Sequence, residues 1–224
     1  MTDRAPSPFS TSEALRIGWR TTKSNLKPFL IIGAVGALLS LIGRALAAPS
    51  DGTALRAPLS IVIELLQVAV MLAYARAALR AYDGRPIGVD RPMDLVARFW
   101  MFLLTVFLYG LIVSAGLLLL VVPGVYWGLK FLFAPFLVVD RRLTAIEALR
   151  ESSRLTRGVK WPLLGFALAA FGLNLVGALA LGIGLIVTLP ITYVAAVHIL
   201  RRLQERAAER TAEAPVLHEP APSA

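Results

Sequence analysis

Long apolar runs alternate with short basic stretches along this chain. A bilayer core takes about 20 mostly apolar residues per helix. The first run, Pro28 to Ala48, is broken only by Arg44. Pro49-Ser50-Asp51-Gly52 reads as a turn. The second run starts at Pro58, carries Glu64, and ends in Arg76 and Arg80, which can snorkel to a polar surface. The third, Phe99 to Val122, holds no charge, and Pro123-Gly124 reads as its turn. The fourth, Val125 to Val139, is short and holds Lys130 and Pro135. From Trp161 to Leu200 no Asp, Glu, Lys or Arg occurs, which is too long for one span; Gly182-Ile183-Gly184 is the natural turn. Pro190 is expected to kink the last span near mid-membrane, where neighbouring helices can re-satisfy the freed carbonyl.

The pattern predicts an all-α fold: a polytopic membrane helical bundle with six transmembrane helices in three hairpins. The spans are expected at about 28–48, 58–80, 99–122, 125–139, 162–181 and 185–203. A cytoplasmic arm with an amphipathic helix occupies 1–27, the membrane domain 28–203, and a disordered cytoplasmic tail 204–224. A re-entrant fourth run would reduce the count to five spans.

Composition narrows the class further. Of 224 residues, 57% are hydrophobic and 17% charged, against about 45–50% and about 25% in soluble domains. Mean hydropathy is +0.71. These values exclude a soluble globule, a disordered chain, a coiled coil and a disulfide scaffold. Cysteine is absent, which removes disulfides, thiolate catalysis, zinc–cysteine sites and iron–sulfur clusters.

The net charge of +9 is explained by where the cations lie. Twenty Lys and Arg residues, in the arm, after spans two and four, and after span six, fall on one side of a six-span topology. The other side has Arg44 and Arg56, and Lys130 lies within a span. The positive-inside rule then places both termini in the cytoplasm. The expected partners are the lipid bilayer and anionic headgroups at the cytoplasmic face. No separate basic domain suggests nucleic acid. A signal peptide cut near Ala45-Leu46-Ala47 is the competing reading of span one, but the arm is long for that and Arg44 sits beside the cut.

The chain also repeats. At an offset of 134, Glu13-Ala14-Leu15-Arg16 falls on Glu147-Ala148-Leu149-Arg150, Arg20 on Arg154, Thr22 on Thr156 and Pro28 on Pro162. Each copy opens with a capping box, Ser10 before Glu13 and Thr144 before Glu147. Both copies read as amphipathic helices in the headgroup plane. Leu15, Trp19, Thr22 and Leu26 form one apolar face; Ile146, Leu149 and Ser153 form the other. Met93 to Arg98 reads as a shorter third version. The unit is thus an interfacial helix plus a hairpin, used three times. The units are parallel, unlike the inverted repeats of many secondary transporters.

From Val121 the chain reads Val-Pro-Gly-Val-Tyr-Trp-Gly-Leu-Lys-Phe-Leu-Phe-Ala-Pro-Phe-Leu-Val-Val-Asp, followed by Ile146-Glu147-Ala148-Leu149 and Ser152-Ser153-Arg154-Leu155-Thr156-Arg157-Gly158. The arm carries Phe9-Ser10, Glu13-Ala14-Leu15 and Gly18-Trp19. This pattern resembles an uncharacterised bacterial group of six-span integral membrane proteins, and the membrane domain of some glycerophosphodiester phosphodiesterases. The resemblance implies a fold and the bacterial cytoplasmic (inner) membrane, not a reaction. No long soluble segment exists to hold the phosphodiesterase's metal-binding carboxylates.

Candidate chemistry is sparse. Arg44, Glu64 and Lys130 are the charges within spans, and His198 reads as an interfacial histidine. An ionised group in hydrocarbon seeks a partner or a wet cavity. Glu64 is therefore expected to face the bundle interior and to pair with Arg44 or with Lys130. Asn174 can bond across helices, and glycines 165, 172, 177 and 182 suggest close helix approach. No nucleophile–base–orienter set and no metal-ligand cluster is visible, so no catalytic residue and no cofactor is expected. The favoured reading is a non-enzymatic protein that interacts with lipid or other proteins in envelope maintenance. The alternatives are a small-solute transporter or channel and a lipid-modifying enzyme.

Overall fold

Helix α1 (Thr11–Ser24) opens on Ser10, whose hydroxyl accepts the Glu13 amide hydrogen. This satisfies one orphan donor of the first turn. Asn25 closes it, and α2 (Leu26–Ala47) follows directly. Then come α3 (Arg56–Tyr82), α4 (Pro92–Leu119), α5 (Val121–Phe131), α6 (Ala134–Arg141), α7 (Ala145–Leu155), α8 (Lys160–Leu179) and α9 (Leu185–Ala212). The structure, a computed structural model, describes residues 9–47, 56–88, 92–180 and 184–212. Among the described residues six segments are long and apolar enough to cross a membrane: Leu26–Ala47, Arg56–Tyr82, Val96–Leu119, Val121–Arg141, Lys160–Leu179 and Leu185–Ala212. The fold is an all-helical polytopic bundle.

The expected first turn and most of the Gly182–Gly184 turn lie outside the described residues. So does the tail beyond Ala212. Residues 204–212, expected to be disordered, instead continue α9. Leu203 is buried in the core and Ala207 packs against it, so the helix has something to hold it beyond the span. α9 also runs unbroken through Pro190.

The turn expected at Pro123-Gly124 is displaced to Leu120, the one extended residue between α4 and α5. Pro123 lies in the first turn of α5, where its missing N–H costs no helical hydrogen bond. Gly116 and Gly124 then let the two helices touch backbone to backbone. A Cβ on Gly116 would stand 2.7 Å from the Gly124 Cα.

Span four is interrupted rather than continuous. Pro135 has no amide hydrogen for the Phe131 carbonyl, and its ring would crowd that carbonyl. α5 accordingly stops at Phe131 and α6 restarts at Ala134. The freed groups bond to α7. The Phe133 amide donates to Ser152 Oγ at 3.2 Å, while the Ser152 and Thr156 hydroxyls donate to the Lys130 carbonyl at 3.0 and 3.1 Å.

Both amphipathic helices dock through their small residues. On α1 the buried positions are Ala14, Gly18 and Thr22; on α7 they include Ala148 and Ser152, continued by Thr156. These are the same positions under the 134-residue offset. A Cβ on Gly18 would run into the Ile191 carbonyl of α9, so only glycine permits that approach. Trp19 and Ile146, placed on the apolar faces by the sequence pattern, stay exposed. The physical reason is spacing: bulky side chains would hold the helices off the bundle. The third copy forms no separate helix, because α4 runs unbroken from Pro92.

The core lies toward one end. It includes Phe29, Leu72 to Leu79 on α3, Phe102, Phe133 to Val139, Leu163 and Val194 to Leu200. Tyr74 stacks with Phe29, and Tyr193 packs between Tyr74 and Phe136. At the opposite end Leu118, Leu119, Leu120 and Val122 are exposed. A soluble chain would not leave such a patch open; a membrane span presents it to lipid.

The glycines divide by contact. A Cβ on Gly177 would meet Thr188 Oγ1 at 2.5 Å and the Gly184 backbone at 3.0 Å, whereas Gly165 and Gly172 have open space. Gly177→Ala is therefore expected to destabilise by about 1–3 kcal/mol through overpacking. Gly172→Ala is expected to stabilise by up to about 1 kcal/mol through backbone entropy. Denaturant unfolding in detergent should rank Gly172→Ala above wild type and wild type above Gly177→Ala.

Candidate functional site: the basic end of the bundle

The ends of spans two, four and six converge on one guanidinium. Arg201 Nη2 donates to Asp83 Oδ2 at 2.9 Å and to Asp140 Oδ1 at 2.8 Å. Nη1 donates to Asp140 Oδ2 at 2.7 Å, and Nε to Asp83 Oδ1 at 3.3 Å. Each hairpin thus contributes one charge. In the sequence Arg201 reads only as a basic residue, Asp140 only as the end of the motif that begins at Val121, and Asp83 only as the start of a polar stretch. Their signal was position: each directly follows an apolar run.

Beside this knot the Tyr82 hydroxyl and His198 Nδ1 are 3.0 Å apart. His198 is buried among the helices at this end. α9 is the central helix at this end, and Ile191 to Leu200 is covered on nearly every side.

α7 closes the same end. Arg142 adopts a left-handed conformation that ends α6, and Thr144 then caps α7. The Thr144 backbone N–H, and next its hydroxyl, hold the Glu147 carboxyl below the usual carboxylate range. Glu151 binds Arg154 at 2.8 Å and Arg141 at 3.4 Å.

A groove of about 600 Å³ opens between α2, α3 and α4. Ile31 and Ile32 form one wall, Phe99 and Trp100 another, and Leu72, Arg76 and Arg80 line α3. Arg80 Nη1 donates to the Gly88 carbonyl at 2.7 Å.

The expected intramembrane cluster of Arg44, Glu64 and Lys130 is not assembled. Arg44 and Glu64 are exposed, and among the described residues no ion pair joins Glu64 to Arg44 or to Lys130. Helical phase is the reason. The α2–α3 seam uses Ile63 against Gly43 and Val70 against Gly36. Glu64 is one residue on, about 100° round the helix. The polar tie across that seam is Gln67, whose Nε2 donates to Ser40 Oγ at 2.8 Å; the sequence reading missed it. Lys130 lies elsewhere, its backbone held by α7. Its ammonium is 5.1 Å from the Phe131 ring, in a cleft lined also by Leu111 and Trp127. Its direction follows from the phase of α5, which packs against α4 and turns Lys130 into the cleft between the two helices. Asn174 Nδ2 donates to Thr192 Oγ1 at 3.4 Å, across α8 and α9. Among the described residues no three His, Asp or Glu side chains gather as a metal site would require.

Residues 95–222 match the family model described as domain of unknown function (DUF7847). Over 74 residues the chain is 38% identical to the UPF0259 membrane protein SG1383 of Sodalis glossinidius (strain morsitans), covering 33% of this chain and 30% of that protein. The chain thus matches less than a third of that relative's length. No solved structure matches. The family match covers more than half of the chain and takes in the broken fourth span, the α7 stitch and Asp140 with Arg201 of the ionic knot; the chain belongs to the family described as domain of unknown function (DUF7847).

Proposed function

We propose that this is a non-enzymatic protein of the bacterial inner membrane, with both termini cytoplasmic, that engages anionic lipid at its basic end in envelope maintenance. One observation carries the reading. Trp19 stands exposed on α1 between Arg16, Arg20 and Lys23, on the outer side of a helix already anchored to α9. An indole among cations suits the headgroup layer, where each cation contributes about 1 kcal/mol of attraction to anionic lipid. The transport reading draws on charges within spans and on mid-span prolines; Glu64 is exposed, which removes support from the first of these.

The test is complementation of a deletion strain. Wild type should restore resistance to detergent and to envelope-directed antibiotics. Arg16→Gln/Arg20→Gln/Lys23→Gln should restore it poorly although it is made and inserted at wild-type level. Full complementation by that variant, or a deletion strain without an envelope phenotype, would remove the reading. Reporter fusions at residue 53 should score external, and at 150 and 215 internal.

A further inference from the structure

Two ammonium groups meet at one tyrosine on the flank of the bundle. Tyr126 and Lys130 lie one turn apart on the same face of α5. From the start of α8, Lys160 Nζ stands 3.5 Å from the centre of the Tyr126 ring and donates to its hydroxyl. Both ammonium groups act on that hydroxyl through space. Among the described residues no carboxylate forms an ion pair with either lysine. A hydroxyl and a ring face hold Lys160 without neutralising it, and its ammonium keeps further N–H donors. The Lys130 ammonium has the Phe131 ring at 5.1 Å and, among the described residues, no hydrogen-bond acceptor. Both lysines are half-buried. A cation so placed in a span draws a counter-charge, and two side by side draw it more strongly.

The surroundings say what kind of anion fits. Lys130 also lines a cleft of about 510 Å³ with Leu111, Ile112, Ala115, Trp127 and Phe131. The cleft opens sideways from the bundle, since Leu111, Ala115 and Tyr126 are exposed on its edges. Trp161, next to Lys160, is exposed as well. Tryptophan and tyrosine beside lysine are side chains of the headgroup layer. The Ser152 and Thr156 hydroxyls hold the Lys130 carbonyl, so that this lysine stands on a fixed backbone. A soluble anion would use the two charges and leave the apolar cleft idle, whereas an amphiphile with an anionic head uses both.

We infer that the cleft between α4 and α5 holds one anionic phospholipid, its headgroup phosphate between Lys130 and Lys160 and one acyl chain along Leu111 and Ala115. The inference extends the proposed contact with anionic lipid from the surface of α1 to a built site between spans, and rests on that reading for the class of lipid.

The experiment uses full-length protein whose sole tryptophan is Trp127 (Trp19→Phe/Trp100→Phe/Trp161→Phe), reconstituted with brominated lipids. Brominated phosphatidylglycerol should reach half-maximal quenching at about a fivefold lower mole fraction than brominated phosphatidylcholine. Lys130→Met should remove most of that preference, and Lys130→Arg should keep it. Ala115→Phe leaves both lysines in place but fills the cleft, and should weaken quenching by phosphatidylglycerol. Excess inorganic phosphate should change nothing. Equal quenching of Trp127 by the two lipids, or a preference that survives both Lys130→Met and Ala115→Phe, overturns the inference. Competition by inorganic phosphate overturns it in favour of a soluble anion. A dimer that Lys130→Met dissolves, with no lipid preference, overturns it in favour of a carboxylate from a second copy. If Lys130→Met does not fold, Ala115→Phe and the phosphate competition still decide. Equal quenching, with the α1 triple variant still failing to complement, would discard this site and keep the broader reading. A clear preference at Trp127, with full complementation by that variant, would do the reverse.

Discussion

Ser152→Ala is expected to destabilise the protein by about 1–3 kcal/mol, the penalty for a buried amide left without an acceptor. Ser152 is fully buried and does two jobs with one hydroxyl: it accepts from the Phe133 amide and donates to the Lys130 carbonyl. Alanine removes both contacts. The carbonyl keeps Thr156; the Phe133 amide loses the Ser152 acceptor. A chain of this size loses about 2–4 °C of Tm per kcal/mol, so the shift should be several degrees in detergent. Ser153→Ala, on the neighbouring face, should stay within about 0.5 kcal/mol of wild type. The cause can be checked with a cycle. Pro135→Ala returns the missing amide hydrogen, lets the span close on itself, and should shrink the loss caused by Ser152→Ala. Equal losses in both backgrounds would show that the break does not depend on Pro135.

Arg201→Gln is the second large effect. It removes one cation from between two carboxylates whose side chains are only 15% and 23% exposed. Breaking a buried pair from one side costs about 3–5 kcal/mol. Partial exposure of all three groups screens part of that, and about 2–3 kcal/mol is expected. Asp83→Asn and Asp140→Asn each leave one ion pair in place and should cost about 1 kcal/mol. Neutralising all three residues together should recover part of the Arg201→Gln loss, because no charge is then stranded. A triple variant no more stable than Arg201→Gln would assign the knot's contribution to packing rather than charge.

The spans were legible because the bilayer sets their length and the chain writes that length in unbroken apolar runs. Leu26–Ala47, Val96–Leu119 and Lys160–Leu179 fall close to the expected segments. Both capped helices were legible for a similar reason: Ser10 and Thr144 bond to the amide three residues on, a contact written in local spacing. Turns were less so. Pro123-Gly124 carries the composition of a turn, yet a proline is equally at home in a first helical turn, and the chain bends at Leu120.

The polar contacts were read least well, and the reason is geometric. Glu64 and Lys130 drew attention as charges in apolar runs. Which way a charge faces depends on the rotation of its helix, and one residue of phase carries Glu64 off the seam that Ile63 and Gln67 occupy. Gln67, Ser152 and Thr156 are ordinary polar residues in sequence. They matter because of what stands opposite: Ser40 for Gln67, and the carbonyl of Lys130 for the other two.

The sequence by itself determined the class, six apolar helices with their cations gathered at one end, since hydropathy and charge act along the chain and need no partner to be read. It also carried the repeat, in which Glu13-Ala14-Leu15-Arg16 falls on Glu147-Ala148-Leu149-Arg150. Only the tertiary structure decided that the small positions Ala14, Gly18, Ala148 and Ser152 face the bundle, that Asp83, Asp140 and Arg201 meet, and that a groove lies between α2, α3 and α4. Each of these is a relation between residues far apart in the chain. Helix phase and crossing set such relations through packing across the whole bundle, which no local stretch encodes.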